Sequence, residues 1–271
     1  MDATVSVQRV VWRNGLATPS PRTIAEEVPV ALTYNRVTHA VMLASPSDLE
    51  DFAIGFSLSE GIIQHASDIE ALDVVTVPLG IELRMDLAPD RLDALTRRQR
   101  RLAGPSGCGL CGLDSLAEAL RPVPRVAAHG RFAPHAVAAA MDALPHAQTL
   151  NHLTRAVHAA GFWTPAQGLV AVREDVGRHN ALDKLAGALA RLGIVAGKGL
   201  LLLSSRVSVE MVQKAANLGV PVIVAVSAPT ALAVRIAEAA GITLIGIARH
   251  DGFEIFTHPH TILTGPEQHV A

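Results

Sequence analysis

The sequence predicts an α/β protein in which a smaller N-terminal α+β domain precedes a larger layered α/β domain. In the C-terminal part, short strands that are apolar throughout alternate with helices, which is typical of a parallel sheet covered on both faces. The N-terminal part contains pairs of strands separated by short turns. Hydrophobic residues make up 49% of the 271 residues and charged residues only 18%, so the chain can bury a large core.

The N-terminal domain is expected to cover residues 1–103 and to open with antiparallel strands. Residues 4–12 alternate as a strand does. Residues 28–34 and 38–44 predict a hairpin that turns at Asn35 and Arg36. We expect a sheet with one face available for a helix.

A helix is predicted after this hairpin. Ser45 can cap it, Pro46 suits its first turn, and Asp48 stands at the spacing of a capping box. The apolar residues that follow recur at helical spacing and should pack on the sheet: Leu49, Phe52, Ala53, Phe56 and Ile63. A second hairpin over residues 74–85 and a basic helix over residues 89–102 complete this domain.

Residues 104–120 contain the two cysteines of the chain, Cys108 and Cys111, in one C-x-x-C. Gly107, Gly109 and Gly112 with Pro105 predict a mobile loop, and residues 113–120 predict a short helix directly after it. Free N–H groups at a helix start favour a thiolate, and a thiolate is the nucleophilic form of cysteine. The motif is therefore a candidate reactive site.

Four interpretations of the cysteine pair compete. A structural disulfide would close a very small loop and constrain little of the chain. A zinc site needs two more ligands, and none of the 12 histidines shows paired zinc-ligand spacing. The local sequence leaves the other two open: a thioredoxin-like redox pair, or a cysteine that attacks or carries sulfur with its neighbour as the resolving thiol.

Residues 121–271 are expected to form the larger α/β domain. It begins with connecting segments and an alanine-rich helix over residues 134–144. The alternating elements that follow are predicted strands over residues 168–173, 199–203, 220–226, 243–248 and 253–256, and predicted helices over residues 180–192, 207–218 and 231–240.

Ligands of open α/β sheets bind outside the carboxyl ends of the strands. Four polar loops follow predicted strands in this domain, at residues 174–180, 204–208, 227–230 and 249–252. Three of them lead into helix N-termini, where free N–H groups accept anions. Together they predict a phosphate-binding edge whose candidate residues are Arg178, His179, Arg206, Ser227, Arg249 and His250.

Simpler roles are open for several polar residues of this domain. Ser204, Ser205, Ser227 and Thr230, taken singly, fit helix caps, and Asp175 with Asn180 can shape a turn around Gly177. His158 lies in an apolar run and is either a core histidine or a site residue. The prediction of a site depends on several loops meeting at one edge.

Composition excludes several classes of protein. The net charge of −2 gives no field for binding nucleic acid or a membrane surface. The N-terminus lacks a basic start and an apolar run, and no apolar run is long enough to span a bilayer, so we expect a soluble cytoplasmic protein with reduced thiols. The H-x-E and P-C-x-x-C motifs of zinc deaminases are absent.

Five stretches resemble the family of formate dehydrogenase accessory proteins called FdhD, which are sulfur carriers. They are residues 48–63, the Cys108/Cys111 motif, residues 174–184 with the string E-D-V-G-R-H-N-A-L-D-K, residues 206–214, and residues 227–230. The long string is highly specific. Two positions depart from the family pattern, because Arg155 and Ser205 stand where members usually have glycine.

The resemblance implies a cytoplasmic homodimer whose larger domain resembles the cytidine deaminase fold without its zinc. It implies a sulfurtransferase in which Cys108 accepts sulfur from a cysteine desulfurase as a persulfide and Cys111 assists. The sulfur then passes to the bis(molybdopterin guanine dinucleotide) molybdenum cofactor before that cofactor enters formate dehydrogenase. The segment implied in binding the cofactor is Ile247, Ala248, Arg249, His250, Asp251 and Gly252.

The residues and the resemblance lead to one hypothesis. Sulfur carried on Cys108 reaches a cofactor that is held by its phosphates at the strand ends, and the protein has no tightly bound metal of its own. Two hypotheses from other classes stay open, a thiol-disulfide oxidoreductase and a non-catalytic chaperone of the cofactor.

Overall fold

A computed structural model describes residues 1–88, 123–127 and 130–263. This part of the chain contains a two-stranded ribbon, a four-stranded sheet and a six-stranded sheet. The predicted basic helix over residues 89–102, the domain boundary near residue 103, and the loop with Cys108 and Cys111 lie outside the described residues. The division into domains therefore stays a prediction.

The N-terminal ribbon consists of β1 (Thr4–Arg13) and β2 (Leu16–Ala25), which pair antiparallel along their whole length. The prediction of β1 is confirmed. β2 is missing from the sequence prediction because Pro19 and Pro21 weaken a strand pattern, whereas a two-stranded ribbon has free edges that tolerate proline.

The four-stranded sheet has the order β4-β3-β6-β5. Its strands are β3 (Val28–Tyr34), β4 (Val37–Ala44), β5 (Ile69–Val77) and β6 (Gly80–Leu87). Both predicted hairpins are confirmed, and the first turns at Asn35 and Arg36, which have φ of 45° and 69°. The two central strands, β3 and β6, run parallel.

Helix α1 (Leu49–Ser59) packs on this sheet through Phe52, Ala53 and Phe56, as the spacing predicts. The predicted capping is wrong. Asp48 precedes the helix with φ of 51°, and its side chain makes no capping hydrogen bond. The backbone N–H of Ser45 instead donates to the carboxylate of Asp175, which is 130 residues away. A long-range contact therefore stands where the sequence predicts a local cap.

The six-stranded sheet has the order β12-β11-β10-β9-β7-β8. Its strands are β7 (His158–Thr164), β8 (Gly168–Asp175), β9 (Leu200–Leu203), β10 (Val222–Ala225), β11 (Thr243–Arg249) and β12 (Gly252–Ile255). The prediction of a parallel sheet holds for β9, β10 and β11. It is wrong at β7, which pairs antiparallel with both β8 and β9, and at the edge strand β12, which pairs antiparallel with β11.

The strand directions bring several predicted loops to one edge. Because β8 and β9 both pair antiparallel with β7, β8 runs in the same direction as β9, β10 and β11. The carboxyl ends of these four strands therefore share an edge, which we call the carboxyl edge. His158 lies at the same edge, since it begins the antiparallel β7.

Helices cover both faces of this sheet: α2 (Pro134–Ala147), α3 (Thr149–Thr154), α4 (Arg178–Arg191), α5 (Val209–Asn217) and α6 (Ala231–Ala240). On β9, Leu201 and Leu203 pack in one core with α4, α5 and α6, while Leu200 and Leu202 pack in another with α2. The α/β fold class is confirmed, and the likeness to cytidine deaminase stays a prediction. No helix of the described residues has the length and apolar character that a membrane crossing needs.

Helix α1 contacts α4 so closely that the two backbones touch. A Cβ atom on Gly55 would overlap the backbone oxygen of Asp183, and one on Gly187 would overlap that of Asp51. Glycine is therefore required on both helices. This contact fixes the four-stranded sheet and α1 to the outside of α4.

Candidate functional site

The carboxyl edge collects the four polar loops that the sequence singles out. The loops follow β8, β9, β10 and β11, and the first three lead into α4, α5 and α6. Because the helices sit on one face of the sheet, their N-termini lie side by side along this edge. The predicted convergence of the loops is confirmed.

Asp175 fixes the first of these loops. Its Oδ1 accepts hydrogen bonds from the Gly177 N–H (2.8 Å) and from Asn180 Nδ2 (2.9 Å). Its Oδ2 accepts from the Ser45 N–H (2.9 Å) and forms an ion pair with Lys184 Nζ (2.7 Å). Asp175 and Asn180 thus shape the turn around Gly177, and the residues after it begin α4.

Lys214 joins three helices in a second buried network. Its Nζ lies 2.8 Å from Asp183 Oδ1 on α4, and 2.9 and 3.0 Å from Ser59 Oγ and Glu60 Oε1 at the end of α1. Burial acts to lower the pKa of Lys214, but attraction from Asp183 and Glu60 outweighs it and raises the pKa above its ordinary value. Lys214 is therefore an ammonium that holds α4 and α5 together.

His179, the second residue of α4, is a neutral imidazole at neutral pH. Burial lowers its pKa to about 4, and the positive charges of Arg178 and Lys214 add to this effect against the opposing carboxylates of Glu210 and Glu60. Its Nε2 is buried and has no hydrogen-bond partner in the described part of the chain. His179 therefore has a free ring nitrogen at the carboxyl edge.

His158 is half-buried and lies opposite Asp175 in the ladder of β7 and β8. Burial lowers its pKa, and the charge of Arg178 adds to this effect. The structure therefore places His158 within the electrostatic field of Arg178 at the edge, rather than deep in the core.

The side chains of Arg206, Arg249, His250 and Asp251 are exposed at the carboxyl edge. Two guanidinium groups are therefore free to contact an anion in front of the helix N-termini. Ser227 is partly buried, and its carbonyl oxygen accepts a hydrogen bond from the Ile247 N–H at 3.4 Å.

The end of β11 is irregular. The pairing of β11 with β12 shifts register between Gly246 and Arg249, and Ile247 has φ of 50°, which a β-branched residue rarely adopts. Ala248 is buried in the core on the α2 side, so its side chain is not available to a ligand. Gly252 begins β12.

One of the four residues considered as caps is a cap. The Thr230 hydroxyl accepts from the Ala233 N–H at the start of α6. Ser204 Oγ accepts instead from the backbone of β7 (2.7 Å), and Ser205 Oγ donates to the carbonyl of the next residue. Arg155 is the C-cap residue after α3 and has φ of 60°, a left-handed conformation that favours glycine.

Two residues at the start of α5 are missing from the sequence prediction. The buried Ser208 Oγ and Glu210 Oε2 have no hydrogen-bond partner among the residues described. The available signal was their position, since Ser208 ends the polar loop of residues 204–208 and Glu210 lies in the first turn of the helix that follows it. Within residues 1–88, 123–127 and 130–263, no group of three or more acidic, histidine or cysteine side chains is placed to hold a metal ion.

We expect His179 to make the protein less stable in mild acid. Between pH 6.5 and pH about 4, the unfolded state binds a proton at this histidine that the folded state does not bind. The free energy of unfolding therefore falls as the pH falls through this interval, by on the order of 3 kcal/mol from this group. Urea denaturation over this range should show a flatter pH dependence for His179→Gln than for the wild type.

The exposed His135 provides the matched control, because His135→Gln also removes one histidine. That variant should follow the wild-type pH dependence. Equal slopes for His179→Gln and the wild type would mean that His179 is not buried as a neutral imidazole.

Comparison with known proteins agrees with the motifs. The model of the FdhD/NarQ family matches residues 25–263. A protein of Agrobacterium fabrum described as sulfur carrier protein FdhD is 53% identical over 262 residues, which is 95% of each chain. A protein of the same description from Brucella abortus is 55% identical, over 88% of this chain and 89% of its own length. Another from Cupriavidus necator is 50% identical, over 96% of this chain and 90% of its own length.

A solved structure has the same fold. The crystal structure of a proposed formate dehydrogenase accessory protein from Desulfotalea psychrophila aligns with a TM-score of 0.73 over 96% of this chain and 100% of that chain, at 24% identity. The family model matches most of the chain, and the relatives match it at about half of their positions. This chain therefore belongs to the FdhD/NarQ family.

Proposed function

We propose that this protein is a sulfur carrier that acts as a sulfurtransferase in formate dehydrogenase maturation. Its substrate is the bis(molybdopterin guanine dinucleotide) molybdenum cofactor, which receives sulfur before it enters formate dehydrogenase. The observation that carries the proposal is the carboxyl edge, where three helix N-termini and the exposed Arg206 and Arg249 meet. The description of the relatives as sulfur carriers supports it.

Loading of sulfur is a thiol exchange. The Cys108 thiolate attacks the terminal sulfur of a cysteine persulfide on a cysteine desulfurase, and a new S–S bond forms on Cys108. The S–S bond on the desulfurase breaks, and its cysteine leaves as a thiolate, so no external oxidant or reductant is needed. Cys111 is the assisting thiol. This chemistry requires reduced cysteines and therefore a cytoplasmic location.

The carboxyl edge suits the phosphates of the cofactor. The N–H groups at the starts of α4, α5 and α6 point towards this edge, and the helix dipoles favour negative charge there. Arg206 and Arg249 add guanidinium groups that pair well with phosphate oxygens. The segment from Ile247 to Gly252 covers the irregular end of β11 and the turn into β12 beside them, and Ser227 and His158 border the same edge.

The N-terminal ribbon supports a homodimer. Val10, Trp12 and Leu16 at its free end are 66%, 71% and 71% exposed. A two-stranded ribbon is marginally stable in water by itself, and the end nearer the body is tied down by Arg22, which donates to the carbonyl of Thr154 at 3.1 Å. A second copy that presents the same apolar ribbon would give a symmetric, self-complementary interface.

The carrier role predicts a sulfur adduct on Cys108. After incubation of the purified protein with a cysteine desulfurase and cysteine, mass spectrometry should find a mass increase of one sulfur atom on the peptide with Cys108. Cys108→Ala should abolish the adduct and reduce formate dehydrogenase activity to background in a strain that lacks the native protein.

Cys111→Ala is the matched control, because it should keep the adduct while lowering the formate dehydrogenase activity. Full formate dehydrogenase activity with Cys108→Ala would contradict the carrier role. Loss of both cysteines without effect on that activity would favour a cofactor chaperone. A Cys108–Cys111 couple that turns over an artificial disulfide without nucleotide would favour an oxidoreductase.

The proposed dimer predicts that Trp12→Glu shifts the protein towards a monomer. A buried glutamate at an apolar interface is strongly unfavourable, so light scattering should report about half the wild-type mass. The control is Leu79→Glu, at a residue that is 87% exposed in the turn between β5 and β6. A wild-type protein that is monomeric at high concentration would contradict the proposed dimer.

A further inference from the structure

The ring of Phe52 on α1 lies against the buried ammonium of Lys184 on α4. Lys184 Nζ stands over the ring, 5.9 Å from its centroid, and both side chains are fully buried. A cation within about 6 Å of an aromatic centroid is attracted by the negative face of the ring, most strongly where water is excluded. The contact therefore has the geometry of a desolvated cation–π interaction.

The backbone contact between α1 and α4 fixes this geometry. Phe52 lies one helical turn before Gly55 on α1, and Lys184 lies one turn before Gly187 on α4. These glycines are the positions at which the two backbones touch. The ring also makes a T-shaped contact with Phe56, with the centroids 6.3 Å apart. The ring and the ammonium can therefore separate only if the helices separate.

Lys184 has fewer oxygen contacts than it has protons to donate. An ammonium has three N–H donors. Within the described ranges, its oxygen contacts are Asp175 Oδ2 at 2.7 Å and the carbonyl oxygen of Ser45 at 2.9 Å. A buried charge is costly unless its surroundings compensate it. The face of the Phe52 ring supplies negative potential at this ammonium and completes its surroundings.

The second buried ammonium provides a contrast within the same chain. Lys214 Nζ on α5 lies over Phe56, 5.6 Å from the ring centroid. Its oxygen contacts come from three residues, Asp183, Ser59 and Glu60. These oxygens are enough for all three N–H donors. The ring of Phe56 should therefore matter less to its ammonium than the ring of Phe52 does.

Asp175 connects Lys184 to the carboxyl edge. Its Oδ2 is paired with Lys184, and its Oδ1 accepts hydrogen bonds from the Gly177 N–H and from Asn180 Nδ2. The turn held in this way begins α4, whose first N–H groups face the edge. A shift of the ammonium would therefore shift the carboxylate, and the turn would move with it.

We propose that Phe52 is a positioning residue of the carboxyl edge, acting through Lys184 and Asp175. The ring holds the ammonium, the ammonium orients the carboxylate, and the carboxylate orients the turn at the start of α4. This inference rests on the proposed function, because its consequence is the affinity of the edge for phosphate groups. The N-terminal part of the chain thereby contributes to ligand binding through a helix on the outside of α4.

Replacement of Phe52 by mono-, di- and trifluorophenylalanine tests the inference. Fluorine withdraws electron density from the ring face and changes the shape of the ring little. Calorimetric titration of the full chain with pyrophosphate should show binding that weakens step by step, by about threefold to tenfold for the trifluoro ring. The same series at Phe56 is the matched control and should change the affinity by less than about twofold.

A second measurement isolates the contact between the ring and the ammonium. Urea denaturation should show a free energy of unfolding that falls along the Phe52 series in the otherwise unchanged protein. In the Lys184→Met background the ammonium is absent, so the same series should cause no further fall. The comparison separates the electrostatic effect of fluorine from its effect on packing.

The outcomes distinguish this inference from the proposed function. Unchanged pyrophosphate affinity along the Phe52 series, or an equal effect of the Phe56 series, would overturn the inference and leave the proposed function standing. A wild-type protein that does not bind pyrophosphate would contradict the proposed cofactor site and the positioning role with it. An equal loss of stability in the Lys184→Met background would also overturn the inference. If Lys184→Met does not fold, the comparison of the two fluorinated series decides.

Discussion

A buried ion pair between Asp175 and Lys184 is the constraint on which the site depends. Both side chains are fully buried, and a buried charge is tolerated only when it is paired and hydrogen-bonded. Asp175 meets this condition through four contacts, to Lys184, Ser45, Gly177 and Asn180. Lys184 also donates to the carbonyl oxygen of Ser45 at 2.9 Å. The pair therefore ties the segment before α1 to the turn that begins α4, and neither can move alone.

The string E-D-V-G-R-H-N-A-L-D-K combines two tasks in one segment. Asp175, Asn180, Asp183 and Lys184 turn inward and hold the N-terminal sheet and α1 against α4. Arg178 and His179 lie between them at the carboxyl edge, with a ring nitrogen and a guanidinium nitrogen unpartnered within the described residues. The inward residues fix the backbone of this segment. Arg178 and His179 are therefore held in place although they lie at the start of α4 and not on a strand. The stability of the fold and the placement of the site are thus coupled.

Patterns with clear periodicity predicted the elements, and strand direction explains why the polar loops converge. Prediction from the sequence failed where a residue's partner is distant in the chain or where the secondary-structure pattern covers few residues. α3 has only six residues, β2 contains two prolines, and the apolar run of β7 contains a glycine. Ser45 fits a helix cap locally, but its partner Asp175 is 130 residues away. Lys214 contacts Asp183, which is 31 residues earlier in the chain, and a single sequence does not encode such a pairing locally.

A double-mutant cycle on the free energy of unfolding tests the central constraint most directly. Asp175→Asn and Lys184→Met each leave one buried charge without its partner, and each should lower the free energy of unfolding by about 3–5 kcal/mol. The double variant removes both charges, so its loss should be smaller than the sum of the single losses by about 2 kcal/mol or more. Single losses that simply add, or that stay below about 1 kcal/mol, would contradict the account.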